Sequence, residues 1–201
     1  MRYPKIRELI EAITSLVSKP YTTKFPHKEH VPEIRYRGKP HYYEESCVGC
    51  GACKEVCPSG CIKMIDDAGP EDPKRRLELH YDSCLFCGQC QAACITKEGI
   101  KLTNKFEDLS TFDRKEAIEA VEKELMLCEV CKSIVGAKDH LAWVADKLGP
   151  IAYSSPTLYL LALKKLKTIY SGDPDNKETL TRQDRIKVLC PKCRRDITLN
   201  T

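Results

Sequence analysis

Near the start of the chain Ile6, Leu9, Ile10, Ile13, Leu16 and Val17 recur at helical spacing, and Pro20 ends the pattern. One amphipathic helix is predicted there, with Arg2, Lys5, Arg7 and Lys19 around it. An extended arm follows over residues 20–40, punctuated by proline and poor in core residues. Such an arm gains its stability by lying across a partner. Farther on, Asp113 and Glu116 stand in capping-box spacing ahead of Ile118, Val121 and Leu125, which predicts a helix that delivers the chain to Cys128. Two apolar segments come next, residues 137–148 and 156–169, and the polar stretch 171–185 reads as a linker returning to Cys190.

The central part of the chain is an internal repeat with a shift of 37 residues. His41-Tyr42 and the residues up to Cys47 resemble His80-Tyr81 and the residues up to Cys84, and the two copies close on Cys61-Ile62-Lys63-Met64 and Gly99-Ile100-Lys101-Leu102. Each copy predicts a short strand, a cysteine loop, a helical turn and a second strand. Between them residues 66–76, with Gly69-Pro70 and Pro73 among charges, form a loop.

Composition sharpens this picture. Thirteen cysteines in 201 residues are too many for an ordinary chain and too odd a number for a closed set of disulfides. No stretch approaches ~18 uninterrupted apolar residues, so no membrane span is expected. Glu8 and Glu11 interrupt the N-terminal segment before a secretory signal could form. A reducing compartment follows, where clustered thiols bind metal. With 42% hydrophobic residues there is material for one or two small cores.

The cysteines fall into three groups. Cys47-x2-Cys50-x2-Cys53-x3-Cys57-Pro58 is the bacterial ferredoxin run, in which three close thiolates cap one 4Fe-4S cube and the fourth ligates the other. Gly49 and Gly51 let the backbone approach the cube and turn N–H groups to the sulfurs. Cys84, Cys87, Cys90 and Cys94 repeat the spacing, so the assignment crosses over. Cluster one rests on Cys47, Cys50, Cys53 and Cys94, and cluster two on Cys84, Cys87, Cys90 and Cys57. Two zinc sites would leave the doubled spacing without a reason. The second motif has Ile95 in place of proline and one extra residue before its closing strand, which predicts an altered turn beside Cys94 or, at the extreme, a 3Fe-4S centre. Cys61 fills a small core site or serves as a spare ligand.

The third group, Cys128-x2-Cys131 and Cys190-Pro191-Lys192-Cys193, is two knuckles that together offer four thiolates to one zinc or one rubredoxin-like mononuclear iron. A G-x-G-x-x-G fingerprint, a P-loop and an H-E-x-x-H motif are all missing from the sequence, so no catalytic residues are expected. The five histidines read as surface or strand residues, with His41 and His80 placed to tune nearby clusters. The formal charge of +4 counts thiols as neutral. Each loaded cube and a four-thiolate zinc site carry about −2, so the loaded protein comes to roughly −2 and nucleic acid is not an expected partner.

Lys19-Pro20-Tyr21-Thr22-Thr23-Lys24-Phe25-Pro26, Arg35-Tyr36-Arg37-Gly38-Lys39-Pro40 and the doubled cluster motif followed by Ile100-Lys101-Leu102-Thr103 resemble the two-cluster ferredoxin-like subunit of respiratory complex I and of membrane-bound NiFe hydrogenases. The resemblance covers about residues 15 to 110. The added module of Cys128, Cys131, Cys190 and Cys193 resembles the extension of the formate hydrogenlyase version, which tips the expectation to a hydrogenase over a quinone-reducing dehydrogenase. The resemblance implies an α+β chain in three parts: an N-terminal helix and docking arm at 1–40, a pseudo-two-fold two-cluster ferredoxin domain at 41–105, and a helical four-cysteine extension at 106–201. It implies an electron relay, peripheral on the cytoplasmic side of the membrane. The partners it implies are the hydrogenase small and large subunits, a membrane-arm subunit under the N-terminal helix, and a formate dehydrogenase-type subunit or soluble ferredoxin as donor. An independent soluble ferredoxin with a zinc-binding interaction module is the reading from a different class.

Overall fold

The computed structural model describes residues 5–20, 22, 24, 27, 28, 30–69, 72–105, 113–165 and 187–199. The linker expected at 171–185 and residues Tyr21, Thr23, Phe25 and Pro26 of the arm lie outside the described residues. The chain divides into two compact units, Met1–Tyr36 and Arg37–Thr201.

In the first unit helix α1 spans Ile6–Val17, the bounds that the apolar spacing predicts. The Lys5 carbonyl accepts the N–H groups of Glu8 and Leu9, and the Glu8 carboxylate reaches back to the Lys5 N–H at 3.0 Å, so orphan groups of the first turn are satisfied. The apolar face is bare: Leu16 is 86% and Val17 83% exposed. Among the described residues no helix is long and apolar enough to cross a membrane.

The second unit begins with strand β1 (Pro40–Tyr42). The first cysteine loop runs into the one-turn helix α2 (Ala52–Glu55), and β2 (Ile62–Asp67) follows. The second copy repeats the order with β3 (Lys74–His80), α3 (Gln89–Ala92) and β4 (Ile100–Leu102). β1 pairs antiparallel with β4 and β2 with β3, so each copy contributes one strand to each pair. The registers are matched: Tyr42 stands opposite Ile100, and Leu79 opposite Ile62. The Tyr43 N–H bonds the Gly99 carbonyl as the His80 N–H bonds that of Cys61. The structural counterpart of His80 is therefore Tyr43, which corrects the His41–His80 correspondence that the sequence suggests.

A larger correction concerns residues 118–127. The expected helix is strand β5 (Ile118–Leu127), which joins the open edge of β3 with Leu77 opposite Val121. Asp113 and Glu116 close a turn instead of capping a helix: Asp113 Oδ1 accepts the Lys115 N–H, and the Asp113 carbonyl accepts that of Glu116. Val121 and Leu125 are four residues apart, an interval that keeps two side chains on one face of either a helix or a strand. The available strand edge decides between them. β6 (Ile134–Ala137) completes a four-stranded antiparallel sheet in the order β2-β3-β5-β6. The extension is thus mixed, not wholly helical.

Helices α4 (Lys138–Leu148) and α5 (Pro156–Lys165) flank a 3-10 stretch at Gly149–Ser154, and α6 (Pro191–Leu199) carries the last knuckle. The main core gathers Tyr42, Ile62, Leu77, Leu79, Ile100 and Val121 around Cys47, Cys53, Cys61 and Cys90. Two smaller cores sit in the extension. One joins Cys128, Leu189, Cys190, Cys193 and Ile197, the other Met126, Leu160 and Val188.

Candidate metal centres

The crossed strand pairing brings the loops of the two copies together. Cys47, Cys50 and Cys53 line a small cavity with Cys94, closed by Tyr42, Leu77 and Ile100. Cys84, Cys87 and Cys90 line a second of like size with Cys57, closed by Ile62, Leu79 and Leu102. In each cavity three thiols come from one motif and the fourth from the other. Cys61 lines the second cavity as a fifth thiol, 3% exposed and 3.3 Å from Cys57 Sγ.

Local backbone geometry serves the same end in both copies. Gly49 and Gly51 take φ of +67° and +79°, and their counterparts Phe86 and Gly88 take +50° and +80°. This left-handed turn points the Phe86 N–H at Cys84 Sγ, 3.4 Å away, and the Gly49 N–H at Cys47. The turn expected to be altered beside Cys94 is retained. The Lys97 N–H bonds the Cys94 carbonyl at 3.0 Å as the Gly60 N–H bonds that of Cys57 at 3.2 Å, and the extra residue, Glu98, comes after it. Two hydroxyls also recur: Ser59 Oγ lies 3.6 Å from Cys57 Sγ and Thr96 Oγ1 3.3 Å from Cys94 Sγ.

These surroundings split the thiols. Burial pushes Cys53 and Cys90 up to about 11 and Cys61 up to about 12. Burial acts in the same sense on Cys57, but hydrogen bonds from Ser59, Cys61 and the Ile62 N–H outweigh it and bring that thiol down to about 7. Cys94 is lowered likewise: Thr96 and the Ile100 N–H overcome its burial. Two pockets of four thiols, apolar between the sulfurs and supplied with N–H and O–H donors at them, fit the thiolate ligation of two 4Fe-4S clusters.

The third cysteine group is assembled by elements far apart in sequence. The sulfurs of Cys128, Cys131, Cys190 and Cys193 all lie within 4.8 Å of one another. The first knuckle is closed by the Lys132 N–H on the Cys128 carbonyl, with Lys132 at φ +58°, and by the Cys128 N–H on the Ser133 carbonyl. The second sits at the start of α6, where Pro191 occupies the first turn and the Cys193 N–H points at Cys190 Sγ, 3.4 Å away. That N–H, with Ser133, holds Cys190 down at about 6, while burial pushes Cys193 well up. Arg194 ties α6 to Thr157 at 3.0 Å and to the Lys187 carbonyl at 3.1 Å. Four convergent thiols suit one tetrahedral metal.

Several residues that brace the backbone around the first cavity were not legible in the sequence, because they come from β5 or from within β3. Glu119 accepts the Tyr42 N–H at 2.7 Å, lies 2.9 Å from His41 Nδ1 and takes the Tyr81 hydroxyl. Lys123 donates to the Glu44 carbonyl at 2.7 Å, at the entry to the first cysteine loop. Arg75 clamps Asp66 through two bonds of 2.7 and 2.9 Å and donates a third to the Gly49 carbonyl at 3.0 Å. Ser59 and Thr96 did carry a signal, a hydroxyl two residues after the closing cysteine of each motif. His41 and His80 are not among the described residues that line either cavity.

Residues 34–97 match the family model described as a 4Fe-4S dicluster domain, which supports two 4Fe-4S clusters. Part of the chain is homologous to NAD(P)H-quinone oxidoreductase subunit I. In Crocosphaera subtropica that protein is 32% identical over 63 residues, covering 31% of this chain and 32% of the relative. In Prochlorococcus marinus (strain AS9601) it is 33% identical over 99 residues, covering 48% and 47%. The chain spans 32% and 47% of the length of these two curated relatives. Among solved structures, a chain of the membrane-bound sulfane sulfur reductase, an archaeal respiratory membrane complex, aligns at 26% identity and a TM-score of 0.39, over 58% of this chain and 61% of that one.

Proposed function

We propose that this chain is an iron-sulfur electron-transfer subunit of a complex I-like respiratory complex. In this reading Cys47, Cys50, Cys53 and Cys94 hold one 4Fe-4S cluster, and Cys84, Cys87, Cys90 and Cys57 hold the other. Cys128, Cys131, Cys190 and Cys193 hold one zinc or mononuclear iron. The observation that carries it is the pair of near-equal cavities, each lined by three cysteines of one motif and the fourth of the other. The matched registers of β1 with β4 and β2 with β3 support a pseudo-two-fold ferredoxin core at 41–105. Residues 1–40 then act as the docking helix and arm, and 106–201 as an extension whose β5 and β6 continue the core sheet beyond β3.

The clusters supply one-electron transfer, and the residues of the chain set its conditions. Leu77, Leu79, Ile62 and Ile100 keep water from the sulfurs, and the backbone N–H groups hold the thiolates. The bare face of α1 is suited to a membrane-arm subunit or the membrane surface, peripheral on the cytoplasmic side.

A membrane-bound NiFe hydrogenase of formate hydrogenlyase type is the narrower form of this reading. The four-thiol module, built from the turn between β5 and β6 and the start of α6, favours it, since that module is what the resemblance associates with the hydrogenase version. The relatives named above carry quinone-oxidoreductase names, so the broader form is the conclusion. Anaerobic affinity purification of the tagged chain tests both. Co-purification of membrane-arm subunits is expected, a nickel-bearing large subunit would select the hydrogenase form, and a stable free monomer would overturn the subunit reading. Cys57→Ser should disturb the cluster held by the second motif. Electron paramagnetic resonance that finds the first-motif cluster altered instead would refute the crossed ligation.

A further inference from the structure

The repeat makes Tyr42 and Leu79 equivalent, for they stand opposite Ile100 and Ile62, the equivalent residues of β4 and β2. Both are buried and each lines the cavity of its own copy. They end differently. The Tyr42 hydroxyl lies 3.6 Å from Cys53 Sγ, whereas Leu79 offers only hydrocarbon. A second mismatch occurs at the start of the closing strands, where Cys61 and Gly99 accept equivalent N–H bonds from His80 and Tyr43. The Cys61 thiol is 3.3 Å from Cys57 Sγ, and Gly99 has no side chain to offer. Ser59 and Thr96, by contrast, place a hydroxyl at the same sulfur in both copies and so balance each other.

We propose that Tyr42 and Cys61 are positioning residues that make the two clusters inequivalent, each donating a hydrogen bond to one ligand sulfur of one cluster. A donor at a thiolate sulfur withdraws electron density and favours the more negative, reduced cluster, so it raises that cluster's reduction potential. The Tyr42 O–H acts on Cys53 and therefore on the first cluster. The Cys61 S–H acts on Cys57, which by the crossed ligation belongs to the second. A sequence that looks duplicated thus encodes two different redox sites.

The inference rests on the two-cluster reading, and the test separates the two. The anaerobically purified holoprotein is titrated potentiometrically while its paramagnetic signals are followed. The wild type is expected to show two reduced-cluster signals of equal spin count. Fewer than two would defeat the two-cluster reading and this inference with it. Given two signals, Tyr42→Phe lowers the midpoint of one and Cys61→Ala that of the other. Each shift is up to about tenfold in the equilibrium constant for reduction, or about 59 mV for one electron. Cys61→Ser keeps a donor and holds the wild-type midpoint or exceeds it, which a packing role would not do. If Tyr42→Phe fails to retain its cluster, the Cys61→Ala and Cys61→Ser pair decides. The inference is overturned if neither midpoint moves, if Tyr42→Phe and Cys61→Ala move the same signal, or if alanine and serine at position 61 act alike.

Discussion

Lys97 holds in the second copy the left-handed turn that Gly60 holds in the first, with φ of +62° and +64° and with the same N–H bond to the carbonyl of the closing cysteine. One position tolerates any backbone sign, and the other carries a Cβ where a Cβ is disfavoured. The fold demands the turn twice, and the sequence meets the demand once with the suitable residue and once at a cost.

Lys97 is exposed, so its replacement loses little packing. Lys97→Gly is expected to stabilise the holoprotein by about 1 kcal/mol. That amounts to a rise of roughly 2–4 °C in its melting temperature. Gly60→Ala should move the melt in the opposite direction by a similar amount. A Cβ at position 60 meets nothing within 4 Å, so the loss is conformational, not steric. Thermal melts of the two variants beside the wild type decide the matter.

Gly38 presents the opposite case, a glycine required by close approach. A Cβ there would stand 2.4 Å from the Lys105 carbonyl oxygen and 2.6 Å from that of Thr103, at a point where the Gly38 N–H bonds Thr103 at 2.9 Å. Gly38→Ala is expected to cost on the order of 2–3 kcal/mol by forcing the β1 and β4 segments apart. Hydrogen exchange should then accelerate at the amides of Gly38, Lys39 and Thr103. Unchanged protection at those three would contradict the prediction.

Glu119 gathers three donors from the first unit of the repeat and its neighbour: the Tyr42 N–H, the Tyr81 hydroxyl and His41 Nδ1. Its removal strands the Tyr42 N–H in a partly buried place, while the Tyr81 hydroxyl keeps the Pro40 carbonyl at 2.7 Å and His41 faces solvent. Glu119→Ala should destabilise by about 1–3 kcal/mol, and Glu119→Gln, which keeps an acceptor oxygen, by less. Chemical unfolding of the holoprotein would reveal the order, and equal losses would count against the role assigned to the carboxylate.

The four-thiol site is open to metal analysis. About eight iron atoms and one further metal, zinc or a ninth iron, are expected in the anaerobic holoprotein, and Cys193→Ser should lose the last while keeping the eight. Thiolates hold the metal, and protons compete for them. At pH 7 Cys190, lowered to about 6, is ionised, while Cys193, raised by burial, is not. Uptake by the stripped protein should therefore release protons, Cys193 among their sources. It should weaken as the pH falls through about 6, where Cys190 takes up its own. Proton release measured in unbuffered solution, together with metal affinity across that range, checks the sign.

Spacing within a few residues was readable before any fold was known. The bounds of α1 followed from six apolar positions and a proline, and the x2-x2-x3 runs of cysteines stated which thiols belong to one loop, since a loop of that length has only one way to wrap a compact cluster. β5 was misread because Val121 and Leu125 satisfy helical and strand periods alike, and because the edge of β3 that captures it lies some 40 residues away in the chain. Glu119 and Lys123, carried by that strand, were invisible as site residues for the same reason. The correspondence of His80 with Tyr43 already follows from the 37-residue shift of the cysteines, but the repeated His-Tyr dipeptide conceals it until the strand register is seen.

What the sequence determined by itself was therefore the local chemistry. It specified thirteen thiols in three spacing classes, a duplicated motif and an amphipathic helix, because each depends on groups bound to a short stretch of chain. The tertiary structure alone decided which strand joins the edge of β3, that the sulfurs grouped by the spacing do line one cavity each, and that Tyr42 and Cys61 add side-chain groups at Cys53 and Cys57 that Leu79 and Gly99 do not add at the counterparts. The first two outcomes depend on distances between residues far apart in the chain, which the antiparallel pairings of β1 with β4, β2 with β3 and β3 with β5 set.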